Sequence, residues 1–228
     1  MICTIDRERA VSRTLLLLKE WLLIRLKGVD SVNTFKSELL VIASRILSYP
    51  TEEDKQEVME MVKEIQDTAG EKKAARKAVE SLYQMDMTDL QELYVETFDL
   101  RSKLGLYLSA HEFGDSPKRG AALIRLQKII NEAGYERTDG ELADFIPMLY
   151  EFLAIMEEGE NKNRLIKRLS VVTQSLLNEL PKENPYYPII SLLMQYVFEP
   201  PTKEDLEKME QQQEKTDLEE LPYPIMYQ

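Results

Sequence analysis

The sequence of 228 residues predicts an all-α protein: a single-domain helical bundle followed by a disordered acidic C-terminal tail. Three observations carry that prediction. Glycine is scarce, at eight residues, while charged residues make up 31%, a profile of soluble helical chains rather than strand-and-turn ones. Apolar residues recur at spacings of three and four, with no convincing alternation and no internal repeat. Helix start and stop signals punctuate the chain at regular intervals. The length suits one domain with appendages, and a core of this size can bury most of its apolar surface.

The elements follow in order. Asn33 is expected to cap a helix that Pro50 stops. Thr51 and Asp54 resemble a capping box and open a second helix that ends near Gly70. A Lys-rich helix covers 71–84. Thr88 with Gln91 opens the next, over 88–100, with Leu90, Leu93, Tyr94, Thr97 and Phe98 on one face and Glu92, Glu96 and Asp99 on another. Gly114, Asp115, Ser116 and Pro117 then break the chain. Asp115 or Ser116 can accept orphan N–H bonds, and Pro117 suits a first helical turn. That helix runs through Leu123, Leu126 and Ile130 to a stop at Gly134. Two more are expected over 139–158, with Pro147 inside as a kink, and over 162–180. Asn184-Pro185 opens the last, which ends before Pro200-Pro201.

Three regions result: an N-terminal extension at 1–32, a helical domain at 33–198 and the tail at 199–228. The extension holds the most apolar run, "TLLLLKEWLLIRL" at 14–26. Lys19, Glu20 and Arg25 interrupt it, and it is shorter than the ~20 residues a spanning helix needs. No signal-peptide pattern accompanies it, so the reading is cytoplasmic, without stable membrane insertion. Residues 1–31 carry six basic against four acidic residues, unlike the rest. They are expected to be dispensable and not native, since Lys27-Gly28-Val29-Asp30 can be encoded by a ribosome-binding sequence and Val32 by a GTG start. A helix that packs on the core is the competing expectation. The tail holds nine acids and three lysines over 199–220, half of the net charge. It closes on "LPYPIMYQ", either a frayed end or an apolar docking peptide that visits the chain's own groove.

Charge and composition exclude several functions. With 29 basic and 41 acidic residues the net charge is −12, so nucleic acid is excluded and basic peptides are favoured partners. Cys3 is the single cysteine, so no internal disulfide forms, as in a reducing compartment. One histidine, His111, and one distant cysteine cannot build a typical zinc site. No nucleophile elbow and no glycine-rich nucleotide cradle occurs. His111 reads first as a structural hydrogen-bonder. Glu141, Asp144, Met148, Glu151 and Ile155 share one stripe of a helix over 139–158. That stripe is either a solvated face or the acidic rim of a peptide groove floored by Leu142, Phe145, Leu149 and Phe152, with a Pro147 kink opening the space. An enzyme using His111 with Glu112 or Asp115, and a membrane-surface adaptor using the N-terminal helix, are the competing classes.

The run 92–126, "ELYVETFDLRSKLGLYLSAHEFGDSPKRGAALIRL", followed by "ELADFIPMLYEFLA" at 141–154, resembles the nitrate reductase delta subunit family. The likeness is carried by Tyr94, Phe98-Asp99, Leu108, His111, Gly114-Asp115 and Arg119-Gly120-Ala121-Ala122-Leu123, and "SELLVIASRILSYP" at 37–50 is similar to the family's opening helix. It implies an all-helical chaperone of the twin-arginine leader-binding group, without catalytic residues and without a cofactor of its own. Its implied partner is the N-terminal peptide of the catalytic (alpha) subunit of respiratory nitrate reductase, with molybdenum cofactor delivery proteins as further partners. The implied role is to hold the apoenzyme for molybdenum cofactor insertion before membrane docking. A leader-binding chaperone for a different molybdenum oxidoreductase is the alternative. The client-binding residues expected on this reading are Tyr94, Phe98, His111, Glu112, Asp115, Arg119, Leu142, Asp144, Phe145, Pro147, Leu149, Glu151 and Phe152. Asp144 and Glu151 would face basic residues of the peptide. One departure stands out: the family often has Pro-Asp followed by His or an aromatic where this chain has Ala143-Asp144-Phe145, so Phe145 offers apolar or stacking contact.

Overall fold

The computed structural model describes residues 31–64, 70–135 and 140–209. The expectations for the N-terminal run 1–30 and for the end of the tail, 210–228, lie outside the described residues. Within them the protein is all-α, as predicted. The helices are α1 (Ser31–Ile46), α2 (Glu52–Glu64), α3 (Gly70–Leu82), α4 (Met87–Tyr94), α5 (Leu108–Phe113), α6 (Lys118–Glu132), α7 (Ile146–Ile155), α8 (Glu160–Glu179) and α9 (Tyr187–Tyr196).

The centre is the pair α1 and α7, with α9 against α1, α3 and α8, and with the α2–α3 hairpin beside α1. From Glu38 to Ser48 every residue of α1 and its last turn is buried. A helix hidden on all sides must be a core helix. Leu39, Ala43, Leu47, Ile146, Leu149, Leu169 and Leu193 form its packed centre with no exposed surface. Arg45 is buried there as well, and its charge is met from two other helices. Asp54 and Glu57 of α2 approach at 3.9 and 4.0 Å, and Glu151 of α7 at 3.5 Å. A buried guanidinium is tolerated only when surrounded in this way.

Several local signals act as the sequence suggests. Thr51 caps α2: Asp54 N donates to Thr51 Oγ1 at 3.1 Å, and Thr51 Oγ1 donates to Asp54 Oδ2 at 2.6 Å. Gly134 ends α6 region with φ of +81°, open to glycine at little cost. Other boundaries differ. Asn33 lies inside α1, which is described from Ser31, and is not its cap. Asp86, not Thr88, caps α4 by accepting from Thr88 N at 2.9 Å, and Gln91 instead donates to Pro50 O at 2.9 Å. The helix of α4 loosens into a π turn at Val95–Asp99, where Leu100 N donates to Val95 O, five residues back, at 3.0 Å. A short 3-10 turn, Ser102–Leu104, follows.

The largest correction concerns the segment expected as one helix over 139–158. α7 covers only Ile146–Ile155, and Pro147 sits in its first turn rather than kinking its interior. A proline there loses no hydrogen bond, because first-turn N–H groups have no helical partner. The acidic stripe through Glu141, Asp144 and Glu151 therefore does not exist. At the other end, residues 203–209 are helical behind a second capping box on Thr202 and Asp205, with Asp205 N to Thr202 Oγ1 at 3.2 Å. Met209 is buried against the core. Packed helical structure is therefore described as far as residue 209.

Candidate functional site

A cleft of about 660 Å³ opens where three segments meet. The turn after α1 supplies Ser48, Tyr49 and Thr51. The end of α4 and the chain beyond it supply Tyr94, Phe98, Asp99, Arg101, Ser102, Gly105, Leu106 and Tyr107. The approach to α7 supplies Glu141 and Phe145.

Its floor is aromatic. Tyr49 meets Tyr94 edge-on at 5.6 Å, Tyr94 meets Phe98 at 5.2 Å, and Phe98 meets Tyr186 at 4.9 Å. The row runs from half-exposed Tyr49 to fully buried Tyr186. Each such pair contributes about 0.5–1.5 kcal/mol beyond its buried area, so the floor is stiff before any ligand arrives. The π turn contributes to this, since it delivers Phe98 inward while Asp99 stays exposed. Tyr94 donates its hydroxyl to Leu47 O at 3.3 Å. Tyr49 in the lining is 50% exposed, and Leu100 and Leu142, each a chain neighbour of a lining residue, are 74% and 45% exposed.

Tyr107 stands in the wall. Its hydroxyl donates to Glu141 Oε2 at 3.0 Å, and its ring lies 5.6 Å from that of Phe145. Burial pushes this hydroxyl's pKa up to about 12, helped by the bond to Glu141 and by the charges of Glu141, Asp144 and Asp99. It therefore remains a hydrogen-bond donor at every physiological pH.

Behind the wall lies a set of buried polar contacts that fix its shape. The chain around Tyr107 and the chain around Phe145 pair as a single antiparallel bridge, with Leu108 N to Asp144 O and Ile146 N to Leu106 O both at 2.9 Å. Asp144 is fully buried. Its Oδ2 accepts from Ser109 N at 3.1 Å and from the Ser109 hydroxyl, and Arg119 stands 4.0 Å away. A carboxylate from a distant segment thus caps the start of α5, the task a neighbouring Ser or Asp usually performs. His111 is buried and its Nε2 lies 2.6 Å from Gly105 O. A carbonyl only accepts, so Nε2 carries the proton. Burial lowers the pKa of this imidazole, outweighing the bond to Gly105 and the charge of Glu112. Glu112 in turn accepts twice from Arg168 of α8, both bonds at 2.6 Å.

The residues expected to bind a client therefore separate into groups. Tyr94, Phe98 and Phe145 line the cleft, and Leu142, next to Glu141 in the chain, is exposed. His111, Glu112, Arg119 and Asp144 hold the wall from behind. Glu151 bonds Arg45 and Ser44, each at 3.5 Å, and Leu149, Phe152 and Pro147 are core. Asp115 is exposed in the turn before α6. Asp144 and Glu151, expected to face basic residues of a client, make contacts within the protein, Asp144 with Ser109 and Glu151 with Ser44 and Arg45. Tyr49, Asp99, Arg101 and Tyr107 were not among the expected residues. The exposed acidic face of α4 and the aromatic Tyr49 just before Pro50 were the available signals. Among the described residues no cluster of His, Cys, Asp and Glu could hold a metal ion, and no helix is long and apolar enough to cross a membrane.

The family model described as nitrate reductase delta subunit matches residues 51–182, more than half of the chain and nearly all of the cleft lining. A relative from Bacillus subtilis, named as a probable nitrate reductase molybdenum cofactor assembly chaperone NarJ, is 31% identical over 147 residues, 63% of this chain and 79% of that one. The nitrate reductase molybdenum cofactor assembly chaperone NarJ of Escherichia coli K12 is 33% identical over 125 residues, 53% of each chain. The nitrate reductase-like protein NarX of Mycobacterium tuberculosis is 29% identical over 138 residues, 60% of this chain and 21% of that longer one. The chain belongs to the nitrate reductase delta subunit family.

Proposed function

We propose that this protein is an assembly chaperone for respiratory nitrate reductase. It holds the N-terminal segment of the catalytic subunit in the aromatic cleft. It keeps the apoenzyme competent for molybdenum cofactor insertion and delays docking onto the membrane subunit. It acts in the cytoplasm and turns over no substrate of its own. The molybdenum cofactor is cargo for the client.

One observation carries this reading: the segment matched by the family model, 51–182, encloses the cleft lining from Thr51 to Phe145, leaving out only Ser48 and Tyr49. The cleft is open and aromatic-floored, with Tyr49 half-exposed in its lining, the features of a peptide groove. The names of the relatives supply the client class, and the net charge of −12 suits a peptide bearing basic residues.

The test is reductase assembly in cells with and without this chain. The catalytic subunit should co-purify with it before assembly, and the reductase made without it should contain little molybdenum by elemental analysis. A fully loaded reductase made in its absence would reject the assignment.

A further inference from the structure

Resting on the reading that the cleft holds a client peptide, we propose that the chain's own segment 221–228, "LPYPIMYQ", docks in the same cleft and competes with the client. The cleft is then covered until a stronger ligand displaces the segment.

The two surfaces match in chemistry. The cleft lining carries five rings, those of Tyr49, Tyr94, Phe98, Tyr107 and Phe145. The segment offers Pro222, Tyr223, Pro224, Ile225 and Tyr227. Each proline fixes its own φ and biases the residue before it toward extended backbone. Extended proline-bearing peptides seat in grooves lined by aromatic side chains, and their stiffness lowers the entropy lost on docking.

Charge separates the segment from the residues that precede it. Residues 221–228 bear no charged side chain, so they enter a lining that holds Asp99 and Glu141 against Arg101 without bringing a like charge. Glu214, Asp217, Glu219 and Glu220, with Lys215 among them, come just before. At the cleft mouth these acids are repelled, which keeps the hold weak. A client with basic residues has no such penalty and displaces the segment.

The course of the described chain supplies the reach. The Ser170 hydroxyl of α8 donates to Glu199 O at 2.5 Å. Asp205, whose pKa is lowered chiefly by its hydrogen bonds to Thr202, also feels the charges of Lys208 and of Lys167 in α8. The helical stretch that ends at buried Met209 therefore lies beside the middle of α8. The cleft lies toward the C-terminal end of the same helix: Lys103, between the lining residues Ser102 and Gly105, stands 3.3 Å from Glu179. From Lys167 to Glu179 is about 18 Å at 1.5 Å per residue. The eleven residues 210–220 can span about 36 Å when extended, and a coil of that length averages about 17–20 Å. A tether whose average length equals the distance to be bridged gives the highest effective concentration, on the order of 1 mM. A segment with a Kd of about 0.1–0.5 mM in trans then lowers apparent client affinity about three- to tenfold.

The test uses the full chain and a variant carrying Tyr223→Ser, Ile225→Ser and Tyr227→Ser. Without any client, the backbone NMR shifts of Tyr49, Phe98 and Tyr107 should differ between the two, and the difference should persist on tenfold dilution. The eight-residue peptide of 221–228, added in trans to the variant, should move those signals back toward their wild-type positions. The catalytic subunit's N-terminal peptide should bind the variant about three- to tenfold more tightly than the wild type.

Identical shifts in wild type and variant, or differences confined to other faces of the molecule, overturn the docking. A difference that vanishes on dilution assigns the occupant to a second copy and overturns it as well. Cleft signals that respond to the segment while client affinity stays equal would leave the docking standing and remove the client from the cleft. A reductase fully loaded without this chain would sink the chaperone assignment and leave the docking standing.

Discussion

Glu141 and Asp144 are three residues apart and have opposite surroundings. Glu141 lines the open cleft with its carboxylate on the Tyr107 hydroxyl, whereas Asp144 has no exposed surface and holds the first turn of α5. The same contrast extends outward. In the cleft lining stand Asp99, Arg101 and Tyr49, all in contact with solvent. Behind it stand Arg45 among three acids, Asp144 with Ser109, and Glu112 with Arg168. The lesson is that residue type does not assign the task. A charge inside is a fastening whose loss damages the fold, and a charge at the mouth is partly hydrated and its loss costs the fold little.

The largest expected effect comes from the inner set. Arg45→Met would leave Asp54, Glu57 and Glu151 facing one another without their shared cation. Stability should fall by about 3 kcal/mol, at the low end for a broken buried pair because the acids keep some solvent contact. Urea unfolding followed by circular dichroism measures it. A variant as stable as the wild type would mean that the inner charges are not fastenings.

Asp144→Ala should follow, at about 2–3 kcal/mol, since the buried Ser109 N–H and hydroxyl lose a charged acceptor. Peptide affinity of the fraction that remains folded should stay near the wild-type value. A variant that folds normally yet loses the peptide would move Asp144 from the inner set to the outer one.

Much of this division was hidden in the sequence for a physical reason. The helical class was legible because a spacing of three and four is a local property, and so were the Thr51 cap and the Gly134 stop. The burial of Asp144 was not, because its partner Ser109 is 35 residues away. Pro147 fits a kink or a first turn equally well on local grounds. The choice depends on whether residues 143–145 are helical, and they are instead engaged with 106–108 in the antiparallel bridge. The π turn adds one residue to a single turn, too small a change for apolar periodicity to register. Tyr94, Phe98 and Phe145, which line the cleft, were singled out because family resemblance and apolar pattern agreed on them. Tyr49 and Tyr107 join them in the lining through which segments meet, which local pattern does not register.

His111 gives an intermediate effect with a definite sign. Its pKa is lowered in the fold, so below the ordinary imidazole value of about 6.5 the unfolded chain binds a proton that the folded chain resists. Its contribution to stability is complete above that value and is lost as pH falls toward the lowered folded value, at no more than about 1.4 kcal/mol per pH unit. Chemical unfolding between pH 7 and 5.5 should show the decline, and His111→Gln should flatten it. An unchanged slope in that variant would assign the decline to other groups.

The smallest effect on stability should come from the mouth. Asp99→Asn, at an exposed position, should change unfolding free energy by less than about 0.5 kcal/mol, and Glu141→Gln, half-buried but still an acceptor for the Tyr107 hydroxyl, by little more. Tyr49→Ala should cost a little more, because it ends the aromatic row, and should weaken peptide binding severalfold. A large loss of stability on changing Asp99 would erase the contrast.

The most direct measurement is hydrogen exchange of the full chain with and without the catalytic subunit's N-terminal peptide at saturating concentration. If the cleft is the client site, exchange slows over 48–51, 99–107 and 140–145 and is little changed along the outer faces of α6 and α8. Saturating peptide that protects those helices instead, and leaves the cleft segments as they were, contradicts it.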